Sequence, residues 1–236
     1  LQRDGEKEGP GRRMTNPLYD GLFGRRACGG TSLIDTNDGA TLSHAAFLAR
    51  AAAFAHALTG LGVQPGDRLA AQIDKSVDAL AVYAACVQAG IVFLPLNTAY
   101  VPAEVDYFVE NSGAALVLSS PDKAPALAEV AARHGAQLQT LGTDGDGTLA
   151  DLAEGQPAHF ATTARADEDL AAILDTSGTT GRSKGGMLTQ ANLLSNARTL
   201  AAAWEFTAND VLLHALPSFH THGLFVATNT TLVAGG

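Results

Sequence analysis

The stretch that decides the fold is Leu170–Gly186, which reads LAAILDTSGTTGRSKGG. Its apolar start, Leu170–Leu174, predicts a buried strand. The remainder holds four glycines, five serines or threonines and two basic residues. A segment with helical periodicity follows over about 190–204. A strand therefore runs into a loop of small and hydroxyl residues, and a helix leaves that loop.

The chemistry of this loop is that of a polyphosphate cradle. Glycines let backbone N–H groups approach an anion closely, hydroxyls donate further hydrogen bonds, and Lys184 brings a compact positive charge. The loop does not match the Walker pattern, because no glycine directly precedes Lys184 and none stands five residues after Gly178. The alternative is a flexible surface loop. Residues 176–181 directly follow an apolar strand, which disfavours this alternative.

Upstream of this stretch, short segments with strand and helix patterns alternate. Alternation with short connections predicts a doubly wound parallel sheet, with ligands at the carboxyl ends of its strands. A helix follows the candidate cap Ser43 and ends at Gly60. The pattern predicts further strands over 68–73, 91–96, 115–118, 137–141 and 211–215, and further helices over 76–89, 103–111 and 124–134.

The chain divides into three predicted regions. Residues 1–13, before Met14, are predicted to be a disordered extension; 14–160 form a first α/β subdomain; and 161–236 begin a second one that carries the loop, with 156–169 as linker. Residues 79–96 carry no charge and are long enough to span a membrane. Gly90 and Pro95 instead favour a buried helix, a stop and a short strand, so we expect no membrane span and a cytoplasmic location.

Composition argues against a nucleic-acid-binding protein and against a protein built on disulfides or zinc. Apolar residues make up 46% of the 236 residues, and the formal net charge is −9. A surface of this charge is unsuited to nucleic acid, whereas one local pocket can still hold a small anion. Cys28 and Cys86 are far apart without C-x-x-C spacing, so we expect free thiols rather than a disulfide or a zinc site.

Residues 176–185, TSGTTGRSKG, resemble the phosphate-loop signature of the adenylate-forming superfamily, which includes acyl-CoA synthetases, adenylation domains and luciferases. The resemblance extends over most of the chain after Met14. It includes GVQPGDR at 62–68, GIVFLPLN at 90–97 and LPSFHTHG at 216–223. Within the superfamily, FHTHGLFVATN at 219–229 is most similar to malonyl-CoA synthetases. The fold implied is α/β, with two packed, doubly wound, mainly parallel sheets flanked by helices, here incomplete.

The resemblance implies an activity in two half-reactions. A small-molecule carboxylate attacks the α-phosphorus of ATP, with Mg²⁺, to give an acyl-adenylate and pyrophosphate, and the thiol of coenzyme A then attacks the acyl carbon. His220 would lie beside the acyl pocket and the adenylate as the catalytic candidate, and His222 is a weaker candidate for the same substrate-binding wall. A zinc site of His214, His220 and His222 lacks Cys or acidic partners. The β- and γ-phosphates would be held by Thr176, Ser177, Gly178, Thr179, Thr180, Gly181 and Lys184.

Three positions depart from the family pattern. Asp175 stands where Tyr or Phe is usual, Gly186 where Ala or Val is usual, and Gln190 where His is common. The resemblance also implies an adenine-binding segment, a magnesium-binding Glu and a mobile small domain with a catalytic Lys, none of which the chain contains. We therefore expect the N-terminal half of a longer ligase, inactive alone, with apolar surface uncovered around 224–233.

Two alternatives stay open at this point. One is an adenylate-forming ligase for a fatty, aryl or amino acid. The other is a non-catalytic nucleotide-binding module, which Asp175 and the missing half favour. The acid, the thiol acceptor and the oligomeric state are not fixed by these residues.

Overall fold

The computed structural model describes residues 16–24, 32–34, 39–176 and 184–236. Within these ranges, Asp20–Gly24 and His222–Thr228 are π-helical. The α-helices among the described residues are α1 Pro17–Tyr19, α2 His44–Gly60, α3 Val77–Ala89, α4 Pro102–Ser112, α5 Ala124–Arg133, α6 Thr148–Ala153, α7 Gln190–Ala203 and α8 Asn229–Ala234. The strands are β1 Ser32–Ile34, β2 Thr41–Ser43, β3 Arg68–Gln72, β4 Val92–Pro95, β5 Leu116–Ser119, β6 Gln137–Thr140, β7 Leu170–Thr176 and β8 Lys184–Thr189.

Six strands form one mainly parallel sheet in the order β6-β5-β3-β4-β7-β8. Every neighbouring pair is parallel except β7 and β8, which are antiparallel. The predicted α/β fold with a mainly parallel sheet is confirmed. Where a second packed sheet was expected, β7 and β8 instead extend the first one, because β7 pairs with β4 at Phe93 and Ala172. Strands from both sides of residue 160 share this sheet. A boundary between two subdomains near residue 160 stays a prediction.

The uncharged segment 79–96 folds as a helix, a stop and a strand, as predicted. Ser76 caps α3 by accepting a hydrogen bond from the Ala79 N–H, and Gly90 ends the helix with a φ of 74°. A Cβ at Gly90 would lie 2.8 Å from Cδ of Arg165, so this left-handed position also needs a residue without a side chain. Among the residues that the structure describes, no helix is both long and apolar enough to cross a membrane.

The two faces of the sheet carry separate hydrophobic cores. Helices α2 and α3 cover one face, where Phe54, Tyr83 and Phe93 are buried. Helices α4 and α5 cover the other face, where Phe108 and Val117 are buried. The chain therefore changes faces after β4, which is why β5 lies on the opposite side of β3.

The first described residues are pinned against α3 and α7. The Asn16 side chain donates hydrogen bonds to the carbonyls of Val87, at 2.8 Å, and Thr163, at 3.2 Å. The Leu18 N–H donates to Oε1 of Gln190 at 3.3 Å, and Gln190 is fully buried. Gln190, one of the three departures from the family pattern, thus satisfies a buried backbone group. Cys86 is a buried free thiol, as predicted, whereas residues 1–13 and Cys28 lie outside the described residues.

Two expectations for the last part of the chain are wrong. Residues 211–215 are irregular rather than a strand, and Val211 and Leu213 are 87% and 77% exposed. The segment 224–233 is not uncovered, because Leu224 and Phe225 are each 2% exposed. The Phe225 ring packs on Tyr83 at 5.7 Å, and the Tyr83 hydroxyl exchanges hydrogen bonds with Asn229. Packing against α3 therefore covers the surface that the sequence left apolar.

Gly186, the second departure, can be tested by substitution to alanine. Its φ is not positive, and a Cβ would meet only the Leu174 carbonyl oxygen at 3.5 Å, an ordinary contact. Glycine within a strand costs conformational entropy relative to alanine. We expect Gly186→Ala to raise the free energy of unfolding by about 0.5–1 kcal/mol in a urea titration. A loss of stability would contradict the strand geometry described for β8.

Asp106 on α4 predicts a pH dependence of stability. Hydrogen bonding from the His134 ring at 2.9 Å, and the nearby charge of Arg133, lower the pKa of Asp106 from its usual 3.8. A carboxyl whose pKa is lower in the folded state stabilises the fold above its usual pKa and loses that contribution as the pH falls. We expect wild type to exceed Asp106→Asn in stability at pH 6, and this difference to shrink below pH 3.8. A constant difference across this range would contradict the pairing.

Candidate functional site

A cavity of about 290 Å³ lies at the carboxyl ends of β4 and β7. This is the edge at which parallel sheets bind ligands. One wall belongs to the β4–α4 connection and the opposite wall to the residues before the second π-helical segment. The residues lining the cavity are Pro95, Asn97, Tyr100, Leu174, Phe219, His220 and Thr221.

The wall that contains His220 is a compact loop, residues 217–223. The His220 N–H donates to the Pro217 carbonyl at 3.3 Å, and the His220 carbonyl accepts from the Leu224 N–H at 3.0 Å. Gly223 lies directly against the backbone of Pro217, so closely that a Cβ would overlap the Pro217 carbonyl oxygen. The loop therefore closes on itself and holds the exposed His220 ring, 4.6 Å from the ring of Phe219, at the cavity.

The opposite wall is organised by Gln72 at the carboxyl end of β3. The buried Gln72 side chain donates hydrogen bonds to the carbonyls of Asn97, at 3.0 Å, and Tyr100, at 2.8 Å. The Lys123 ammonium donates to the Thr98 carbonyl at 2.7 Å. These contacts join residues 25–28 positions apart in the sequence, so no local pattern indicates them. Asn97 and Tyr100 were therefore not among the residues predicted to line the site.

The phosphate-loop candidates start from the same edge of the sheet. Thr176 ends β7 and faces Lys184, the first residue of β8, in register, so both ends of the loop meet there. Leu174, two residues before Thr176, lines the cavity that contains His220. The remaining candidates lie outside the described residues: Ser177, Gly178, Thr179, Thr180 and Gly181.

The other histidines occupy different places. His222 begins the second π-helical segment, is exposed, and is not among the residues that line the cavity. His214 turns inward, with Nε2 at 3.1 Å from the Gly223 carbonyl and 2.9 Å from the Thr228 hydroxyl. Burial, and then the charge of Lys75, lower the pKa of His214. Within the described part of the chain, no group of three His, Cys, Asp or Glu residues is arranged to hold a metal ion.

The family model described as "AMP-binding enzyme" matches residues 23–236. The chain belongs to the AMP-binding enzyme family. ATP-bound MatB from Rhodopseudomonas palustris has the same fold as this AMP-binding chain, with a TM-score of 0.90 and 51% identity over 94% of this chain and 44% of MatB.

Curated relatives of this chain include a CoA synthase and a CoA ligase. Feruloyl-CoA synthase from Amycolatopsis sp is 33% identical over 198 residues, which cover 84% of this chain and 38% of that protein. Malonate–CoA ligase from Arabidopsis thaliana is 33% identical over 177 residues, which cover 74% of this chain and 29% of that protein. This AMP-binding chain thus spans less than half the length of these relatives.

Proposed function

We propose that this chain forms part of an ATP-dependent acid–CoA ligase that uses malonate, or methylmalonate, as its acid. In the first step a carboxylate oxygen bonds to the α-phosphorus of ATP and pyrophosphate leaves. In the second step the sulfur of coenzyme A bonds to the acyl carbon, AMP leaves, and malonyl-CoA forms from malonate. Mg²⁺ would accompany ATP, since this ion is commonly held by substrate phosphates together with one or two carboxylates.

The phosphate loop would act on the leaving group. Negative charge accumulates on pyrophosphate as the bond to the α-phosphorus breaks, and donors already in place stabilise that charge. Lys184 and the hydroxyls of Thr176, Ser177, Thr179 and Thr180 supply such donors, and Gly178 and Gly181 let the backbone approach. Lys184 stands at the loop's end in β8 and is exposed.

The observation that carries the proposal is the position of His220. His220 and β7, which leads into the phosphate loop, line the same cavity, so an acid held at His220 lies beside the predicted triphosphate position. A cavity of about 290 Å³ has room for a small acid. Support for malonate comes from the Arabidopsis thaliana relative and from the similarity of 219–229 to malonyl-CoA synthetases. His222 stays a weaker candidate for this wall.

A chimera tests the proposed activity. This chain would replace the aligned 44% of Rhodopseudomonas palustris MatB, and the parent MatB would be assayed beside it. We expect malonate-dependent ATP–pyrophosphate exchange and malonyl-CoA formation by the chimera. A folded chimera without exchange, beside an active parent, would overturn the proposal. Faster exchange with an aryl or long-chain acid than with malonate would favour the alternative acids.

This chain alone is proposed to be inactive, since it spans 44% of the MatB structure. Malonate-driven exchange by the 236-residue chain would contradict this.

The competing function is a non-catalytic nucleotide-binding module. Asp175 favours it, because a carboxylate and a phosphate repel each other. Calorimetry with ATP on this chain and the exchange assay on the chimera together separate the ligase from the module. ATP binding by this chain, with a chimera that is folded but inactive, supports the module.

A further inference from the structure

The loop that holds His220 is tied to the rest of the protein by a lysine that the proposed chemistry does not use. Lys75 lies in the connection between β3 and α3. Its ammonium donates hydrogen bonds to two backbone carbonyls of the irregular segment before the loop, that of His214 at 2.6 Å and that of Leu216 at 3.3 Å. One side chain thus grips a segment 139–141 residues away.

The segment that Lys75 contacts is mostly exposed to solvent. Residues 211–215 are irregular, and Val211, Leu213 and Leu216 are exposed. An exposed, irregular segment gains little from apolar burial, so hydrogen bonds to its backbone decide its path. A cation on a carbonyl forms one of the stronger bonds of this kind.

A second contact closes the loop from the other end. The His214 ring reaches the Gly223 carbonyl at 3.1 Å, and the Thr228 hydroxyl donates to the same carbonyl at 3.1 Å. His214 thereby joins the two ends of the loop 214–223, while Lys75 fixes the main chain of His214 itself.

We infer that Lys75 is a positioning residue for His220: by holding the carbonyls of His214 and Leu216, it sets where loop 214–223 presents the imidazole to the acid. The inference rests on the proposed function for the role of His220 in substrate binding. Lys75 does not line the cavity, so it acts through the loop. Arginine can also donate to two carbonyls, whereas methionine matches the length of lysine without donating.

Two measurements test this inference on matched variants. The variants are Lys75→Met, Lys75→Arg and, as a control for lost charge, Arg198→Met at an exposed position on α7. In the 236-residue chain without ligand, the imidazole ¹H–¹⁵N signals of His220 report the loop directly. We expect them to shift in Lys75→Met, to return toward wild type in Lys75→Arg, and to stay in place in Arg198→Met.

The second measurement is kinetic and uses the MatB chimera. We expect Lys75→Met to raise the KM for malonate about tenfold with a smaller change in kcat. In Lys75→Arg we expect the KM to return most of the way to the wild-type value. His220 signals that do not move in Lys75→Met, or a KM unchanged in an active chimera, would overturn the inference. A wild-type chimera that is folded but inactive, beside an active parent, would overturn the proposed function instead, and the imidazole signals would still decide the role of Lys75.

Discussion

Alanine in place of Gly223 is expected to lower the free energy of unfolding by about 2–3 kcal/mol. A Cβ there would overlap the Pro217 carbonyl oxygen and lie 2.9 Å from the Pro217 carbonyl carbon. The obstacle is backbone, which cannot rotate aside as a flexible side chain would. The loop must therefore open, and we expect the His220 imidazole signals to shift together with the urea midpoint.

Gly186→Ala is the matched control for this substitution. Both changes add one methyl group to a glycine, yet the Cβ at Gly186 would make only an ordinary contact of 3.5 Å. The control should keep the His220 signals unchanged and should not lose stability. Equal behaviour of the two variants would show that loop 217–223 is not closed as described.

Alanine in place of His220 is expected to lower malonate-dependent exchange by the chimera about 10²-fold. The imidazole is exposed and lines the cavity, so its removal takes a polar group from the proposed acid site and leaves the core intact. Stability should therefore change little, and the loss should appear in turnover. Exchange rates and a urea titration on the same variant separate the two effects.

His222→Ala provides the comparison two residues away. His222 is also an exposed imidazole but does not line the cavity, so its removal should cost clearly less than that of His220. A larger loss at His222 than at His220 would contradict the placement of the acid at this wall.

The elements that could be predicted from the sequence are those with local signals. Helix α3 and strand β4 follow from Ser76, which caps the helix, and from Gly90, which accepts a positive φ at its end. Residues 211–215 have the apolar pattern of a strand but remain irregular. Lys75, far away in sequence, binds the carbonyls of His214 and Leu216 in this region, and no local pattern reveals such a partner.

In the candidate site, too, some residues follow local signals and others depend on distant partners. The phosphate loop is predicted from residue types that follow one another along the chain, and His220 from a resemblance to a known family; both stay predictions as site residues. The opposite wall could not be predicted, since Asn97 and Tyr100 are ordinary loop residues whose positions depend on Gln72, 25 and 28 residues before them. The role of Gln190 could not be predicted either, because its hydrogen-bond partner, the Leu18 N–H, is 172 residues away in the sequence.

We propose that the segment between β7 and β8 binds the triphosphate of ATP. The most direct measurement is malonate-dependent ATP–pyrophosphate exchange by the chimera with Lys184→Met. We expect a loss of about 10- to 100-fold, since a charged donor to the leaving pyrophosphate is removed. A urea titration of the same variant checks that it is folded. Exchange at the wild-type rate in a folded Lys184→Met chimera would contradict the claim.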